Sequence, residues 1–361
     1  IKLQDMALAR RYDSLWLDEL YSNDMFEQIY GSITTMTYEH VEYVELPTDT
    51  LKARLAEINS RTPFNVEYNP ALESVIKNYL KNRRSTMGRL MALSDYYFPM
   101  FEQALDSYNI PLELKYLAIV ESALRPTATS RVGATGLWQF MFSTGKMFGL
   151  NVNSYVDDRN DPLKATQAAC KYLQALHKRL GDWDLALAAY NSGPGNVSKA
   201  IRRSGGLINY WNIRQHLPRE TAGYVPAFLA TMYIFEYSKQ HGFKSDGPKI
   251  PYIATDTIHI KKQIALAHVA DLTDINLAEV EFLNPQYKLG IIPVVKNQTY
   301  TLRLPIDKVG VFVSNQDTIY AYAQQAFNKR EKPLPELNDL DKKIYYKVKS
   351  GDYLGKIAAR F

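Results

Sequence analysis

The stretch Pro111-Leu-Glu-Leu-Lys-Tyr-Leu-Ala-Ile-Val-Glu-Ser-Ala-Leu124 reads as a helix with an acid on its apolar side. Counting back from Glu121 at helical spacing meets Ala118, Leu117 and Leu114, and a step of three forward meets Leu124. The carboxylate therefore shares a face with apolar neighbours, while Glu113 and Lys115 fall mostly elsewhere on the wheel. Desolvation penalises the charged form of a carboxyl, so an acid in such a place holds its proton to higher pH. A general acid working near neutrality needs that property. The same stretch admits a plainer reading, in which Glu121 reaches solvent at the helix end or pairs with a cation.

Helix punctuation surrounds this segment. Asn69-Pro70 is an N-cap followed by proline at the first helical position, ahead of Leu72, Val75, Ile76 and Tyr79. Asp161-Pro162 repeats the signal, and the run through Ala169, Leu173, Leu176 and Leu180 stops at Gly181. Asp182 or Asp184 then caps a short helix ending at Asn191, which Gly193-Pro-Gly195 breaks. Residues 69–247 thus read as a helical domain with functional loops between its helices. Residues 1–68 read as a helical accessory segment packing on it, with an amphipathic helix marked by Leu8, Tyr12, Leu15, Trp16 and Glu19, then the irregular Gly31–Thr37.

Three further motifs follow Glu121-Ser122: Gly136-Leu137-Trp138-Gln139, then Ala189-Tyr190-Asn191, then Arg219-Glu-Thr-Ala-Gly-Tyr-Val225. In this order they resemble the motifs of the family 1 lytic transglycosylases, enzymes that cleave the glycan strands of bacterial peptidoglycan. The resemblance covers roughly Leu90 to Lys239. It has two departures: Trp138 stands where the wider family often has Met, and Ala222 replaces the Arg of a Glu-Thr-Arg-x-Tyr-Val stretch. The implied fold is mainly α, a lysozyme-like helical catalytic domain. In the implied chemistry Glu121 first protonates the glycosidic oxygen between N-acetylmuramic acid and N-acetylglucosamine. As carboxylate it then takes the proton of the sugar's own C6 hydroxyl, which closes a 1,6-anhydro ring without water. The substrate's acetamido group assists by stabilising the oxocarbenium-like centre.

The resemblance also assigns supporting roles. Ser122 hydrogen-bonds the acid or the substrate, and Gln139 and Met141 line the cleft, the Gln139 amide facing acetamido groups. Tyr190 donates to Glu121 or the scissile region, Asn191 holds that tyrosine or the helix end, and Tyr224 stacks or hydrogen-bonds in the cleft. Gly136 and Gly193 read as backbone devices for close approach, and Trp138 as core filler. No cofactor or metal is required, and no His/Cys/carboxylate cluster shows ligand spacing.

Glycosidases usually employ two carboxylates, and the motifs supply one. Val156-Asp-Asp-Arg-Asn-Asp-Pro162 offers Asp157 and Asp158, either a structural ion pair with Arg159 or a catalytic base. A base there would make the protein a goose-lysozyme-like hydrolase. A decayed site would leave a glycan-binding scaffold, against which the intact Glu121, Gln139, Tyr190 and Asn191 argue.

The character of the chain changes around Gly247-Pro248. Ile258-His-Ile260, Ala265–Leu272, Leu277–Leu283 and Tyr300–Leu304 read strand, helix, helix, strand, a small α+β (βααβ) unit over residues 248–306. This order resembles a degenerate LysM module, which binds N-acetylglucosamine-containing glycans. Residues 307–343 read as a helix (Ile319, Tyr322, Ala323, Ala326) and a linker containing Lys332-Pro-Leu-Pro335. Residues 344–361 resemble the strand, Ser-Gly-Asp turn and first helix of a second, truncated LysM module.

Composition sets outer bounds. The 361 residues carry a net charge of +5 with basic and acidic side chains interspersed, so no nucleic-acid-binding stripe stands out. The 26 tyrosines include several near the motifs (Tyr96, Tyr97, Tyr155, Tyr172, Tyr190, Tyr224), mostly read as packing. The single Cys170 lies in an apolar helical run and reads as a small buried hydrophobe. No stretch approaches the ~18 apolar residues of a membrane span. The chain opens on Ile1 without Met or a signal-like segment, which implies that processing removed the start. The family's setting is the cell envelope: the partner is peptidoglycan glycan in the periplasm, with attachment to the outer membrane through a missing N-terminal anchor.

Overall fold

The computed structural model describes residues 45–243, 254–329 and 345–358. The helix read over Leu8–Glu19, the irregular Gly31–Thr37, the break at Gly247-Pro248 and the Lys332–Pro335 linker lie outside them.

The first unit is helical: α1 (Thr48–Asn59), α2 (Pro70–Asn82), α3 (Arg84–Ser107), a 3₁₀ turn (Leu112–Tyr116), α4 (Leu117–Ser122), α5 (Phe142–Met147), α6 (Pro162–Leu180), α7 (Trp183–Ser192), α8 (Pro194–Arg203), α9 (Tyr210–Ile213) and α10 (Arg219–Glu236). The local signals act where the sequence placed them. Asn69 accepts the Leu72 N–H at 2.9 Å, and Asp161 accepts from both Leu163 and Lys164. Gly181 ends α6 with φ 73°, in the left-handed region open to glycine. Of the two candidate caps for α7, Asp182 is the one used, accepting the Leu185 N–H at 2.8 Å. Asp184 is instead buried and accepts the Asn65 N–H. Cys170 is fully buried, and burial pushes its thiol up to about 12.

Helix α10 is the axis of this unit. Every residue from Thr221 to Ile234 is buried, as expected of a helix enclosed by others, and it packs on α2, α4 and α7. Pro226 lies inside it and has no N–H to give to the Ala222 carbonyl one turn back. That carbonyl instead accepts from Arg214 Nε at 2.6 Å and from the Tyr210 hydroxyl at 2.8 Å. The proline is therefore accommodated without an orphaned acceptor. Helix α1, within the accessory segment of the sequence reading, contributes Leu51, Leu55 and Ile58 to the same core.

The second unit contains β1 (Thr255–Ile260), β2 (Ile264–Ala265), α11 (Leu266–Thr273), α12 (Leu277–Leu283), β3 (Ile291–Ile292), β4 (Tyr300–Pro305), α13 (Ile306–Ser314) and α14 (Gln316–Asn328). Strands β1 and β4 pair antiparallel, Ile258 opposite Leu302, and β2 pairs with β3. The βααβ order is the one the sequence pattern gives, with a short extra pair between. Packing does not stop at residue 306: Phe312, Ile319, Tyr320 and Ala323 of α13 and α14 share the core of the strands. Within residues 345–358, Asp352 accepts the Lys349 N–H to close the turn, and α15 (Leu354–Ala358) follows. The strand expected at the start of this segment does not form among the described residues 345–349, since a strand exists only against a hydrogen-bonding neighbour.

Asn284 ties α12 to β4. Its Oδ1 accepts the Arg303 N–H, and its Nδ2 donates to the Val280 and Arg303 carbonyls, each at 2.8 Å. Asn284→Ala leaves these buried groups unpaired and is expected to destabilise this unit by about 1–3 kcal/mol. Denaturant unfolding followed at the second unit checks it; an unchanged midpoint would show that the network contributes nothing net.

Candidate active site

Sequence periodicity alone extends the Glu121 helix over Pro111–Leu124; the structure divides it. The 3₁₀ turn gives way to only six residues of α-helix, and Ala123 and Leu124 then both turn left-handed, at φ 51° and 59°. Two such non-glycine residues in succession cost on the order of 1–3 kcal/mol each and persist only where surrounding packing over-determines them. Here the packing is complete, since Leu124 is fully buried and Ala123 nearly so. The abrupt stop leaves Glu121 in the last turn of α4, half-buried, rather than in mid-helix.

The Tyr224 hydroxyl, from α10, donates to Glu121 Oε1. Burial pushes the Glu121 carboxyl up from 4.5 to about 8; the Tyr224 hydrogen bond opposes the rise and the charge of Glu220 adds to it. Tyr172, Tyr190 and Tyr224 in turn have their hydroxyls pushed up by burial and by the Glu121 charge. They therefore stay neutral near the acid, and Tyr224 is the one that donates to it. The Tyr190 ring lies 5.1 Å from that of Tyr172 and 6.4 Å from that of Phe140, centroid to centroid.

The remaining motif residues hold one another more than they face the acid. Ser122 is buried and donates to the Ala118 and Leu137 carbonyls. Tyr190 donates to the Trp138 carbonyl at 2.8 Å, not to Glu121. Gln139 sits at φ 46° and its Nε2 donates to the Gly136 and Ala128 carbonyls, bracing its own turn. Met141 follows that turn with 41% of its surface exposed, enough for a side chain at a cleft rim. Asn191 accepts from the Thr221 hydroxyl at 2.7 Å and reaches Glu220 at 3.5 Å, joining the end of α7 to the start of α10. Trp138 is wholly buried, its indole N–H on Thr166 Oγ1. A Cβ on Gly136 would lie 1.9 Å from the Arg159 carbonyl, so that position admits no side chain.

Both candidate bases are spent elsewhere. Asp157 pairs with Arg159 at 2.7 Å and Asp158 with Lys164 at 2.8 Å, and both carboxylates are buried. Sequence reading missed Glu220 as a neighbour of the acid and left Tyr172 among the packing residues. For Glu220 a signal was present: it lies four residues before Tyr224 on one helix and so shares its face.

Residues 99–211 match the transglycosylase SLT domain family, and residues 254–321 match the LysM-like domain of lytic transglycosylase MltD. The sequence is 31% identical over 324 residues to membrane-bound lytic murein transglycosylase D of Escherichia coli (strain K12), covering 84% of this chain and 66% of that relative. It is 32% identical over 161 residues to the soluble lytic murein transglycosylase of the same strain, 43% of this chain and 24% of that one. Among solved structures, the 70 kDa soluble lytic transglycosylase SLT70 from Escherichia coli aligns over 66% of this chain and 47% of its own, at 21% identity and a TM-score of 0.37. The chain thus carries a match to the transglycosylase SLT domain followed by one to an MltD-type LysM-like domain, and it spans 66% of the length of the first of these relatives.

A carboxyl with this titration leaves a mark on stability. The unfolded chain ionises Glu121 near 4.5 while the folded protein holds the proton to about 8, so the folded state binds more protons between those values. Its contribution to stability is therefore full below the lower value and is lost as pH rises to the upper one. Glu121→Gln removes that loss, and its thermal midpoint is expected to climb relative to the native protein's across this window. Parallel midpoints throughout would mean that the carboxyl titrates normally.

Proposed function

We propose that this protein is a peptidoglycan lytic transglycosylase that cleaves the β-1,4 bond between N-acetylmuramic acid and N-acetylglucosamine and leaves 1,6-anhydromuramoyl ends. Glu121 is its acid and then its base. The observation that carries this reading is the placing of Glu121: half-buried, held by the Tyr224 hydroxyl, its carboxyl pushed up to about 8 by burial. At neutral pH such a carboxyl arrives protonated and gives its proton to the glycosidic oxygen. The carboxylate so formed is stabilised by Tyr224 and takes the C6 hydroxyl proton as that oxygen closes on C1. The acid is thereby restored within the same event, and the second carboxylate of a water-adding glycosidase has no role. The ion-paired state of Asp157 and Asp158 favours this over the hydrolase reading.

Tyr172 and Tyr190, half-buried and with ring centroids 5.1 Å apart, supply apolar ring faces suited to sugar rings. The curated relative that covers most of this chain is named a membrane-bound murein enzyme, which supports action in the cell envelope. No helix of the described residues is long and apolar enough to cross a membrane. The LysM-like unit adds weak glycan affinity to that of the cleft, which strengthens retention on polymer.

Mass spectrometry of soluble products from purified peptidoglycan tests the reaction. Fragments with anhydro ends, one water lighter than reducing fragments and absent with Glu121→Gln, are expected. Reducing ends would establish the hydrolase instead. A second measurement tests the electrostatics. Glu220→Gln removes a charge that raises the Glu121 pKa, so the alkaline fall of product release is expected to move to lower pH. A fall at unchanged or higher pH would refute that coupling.

A further inference from the structure

The two units meet along a seam that neither motif reading describes. Segment 155–157 of the helical unit and segment 286–288 of the second unit pair as a short antiparallel bridge, Val156 opposite Tyr287. The Asp157 N–H donates to the Gln286 carbonyl and the Lys288 N–H to the Tyr155 carbonyl, both at 2.9 Å. The cores exchange residues here. Val156 is buried in the core of the second unit, and Leu283 in that of the first. Beside them the Phe282 ring lies 5.3 Å from Tyr96 and 6.3 Å from Tyr97.

From this seam a chain of contacts runs to the cleft. The Asp157 carboxylate grips Arg159 with both oxygens, at 3.0 Å to Nε and 2.7 Å to Nη2. The remaining guanidinium nitrogen, Nη1, donates to the Gly133 carbonyl at 3.1 Å and the Phe140 carbonyl at 3.2 Å. Those are the two limbs of the motif turn, closed on itself by paired hydrogen bonds between Thr135 and Phe140. The Arg159 carbonyl also abuts Gly136. The turn so braced presents the Leu137 carbonyl to Ser122, the Trp138 carbonyl to Tyr190, and Gln139 in its left-handed conformation. A forked guanidinium can hold a carboxylate and two carbonyls at once in fixed geometry; an ammonium has no such fork.

We propose that Arg159 is a positioning residue, and that the LysM-like unit, by docking segment 286–288 against Asp157, holds Arg159 and through it the motif turn in working geometry. Attachment of this unit to the helical unit is thus part of the active site's construction, a role separate from any glycan it binds. The effect on turnover rests on the transglycosylase reading; the effect on the turn does not.

The experiment uses the whole chain in three forms: native, Arg159→Lys, and the paired substitution Phe282→Asp with Lys288→Pro, which opens the seam from the second unit. Hydrogen exchange read by mass spectrometry follows peptides over 152–158 and 133–141. In the paired variant both peptides are expected to exchange faster while α2 and α10 keep their protection; in Arg159→Lys only the turn need loosen. With peptidoglycan, kcat is expected to fall roughly ten- to a hundred-fold in both variants with KM near the native value, the signature of misplaced catalytic groups. An opened seam with an unchanged turn would overturn the proposal, as would native exchange of the turn in Arg159→Lys. A loosened turn with native kcat would overturn its functional part. If the native protein released no anhydro product, the function reading would fail, while the exchange data would still decide the coupling.

Discussion

The structure is organised around one unfavourable act, the placing of a carboxyl where water reaches it poorly. Burial of Glu121 raises the free energy of its ionised form, and a single neutral hydroxyl, that of Tyr224, offsets part of the penalty. A cation in that place would return the acid to ordinary titration, and full enclosure would shut the substrate out. The site avoids both. Its nearest ionisable neighbours are tyrosines held neutral by burial and a carboxylate, Glu220, whose charge pushes in the same direction as burial. Holding such a group requires a rigid wall, and α10 supplies it by being enclosed on all sides from Thr221 to Ile234. The Arg214 and Tyr210 donors that satisfy the Ala222 carbonyl keep this wall intact across Pro226, two residues beyond Tyr224.

The motif turn solves a different problem by different means. Its parts are joined mainly through backbone carbonyls: Ser122 to Leu137, Tyr190 to Trp138, Gln139 to Gly136, Arg159 to Gly133 and Phe140. Side chains that look in sequence like substrate contacts therefore serve first to hold a strained loop in place. The left-handed Gln139 is its point of strain, and strain of this kind survives only under such over-determination. A turn built this way has its geometry fixed by internal hydrogen bonds alone.

What was legible in the sequence follows from how local the cause is. Asn69-Pro70, Asp161-Pro162 and Gly181 specify helix ends through their own backbone chemistry, so they are found without a structure. Glu121 was legible because an acid at apolar spacing is a conflict visible within one turn. The division of its helix was not, because Ala123 and Leu124 adopt left-handed backbone under the pressure of tertiary packing and against their own preference. The βααβ order of the second unit follows from alternation and helical period. That its core extends through Phe312 and Ile319 does not, since the period marks a helix there but not the surface it packs against. The choice between base and ion pair for Asp157 and Asp158 likewise depended on Arg159 and Lys164 being brought to them.

The seam between the units follows the same logic on a larger scale. Connected domains ordinarily meet through small polar contacts and move relative to one another. Here each unit buries a residue of the other, Val156 in one direction and Leu283 in the other, and a backbone bridge seals the line between them. Separating them would expose apolar surface on both sides and strand the Asp157 amide and the Gln286 carbonyl. A contact of that quality does more than keep the LysM-like unit near the helical unit, which a flexible tether alone would achieve. It makes sense when the second unit's placement matters to the first. Asp157, one residue beyond the bridge at Val156, holds the arginine that spans the motif turn.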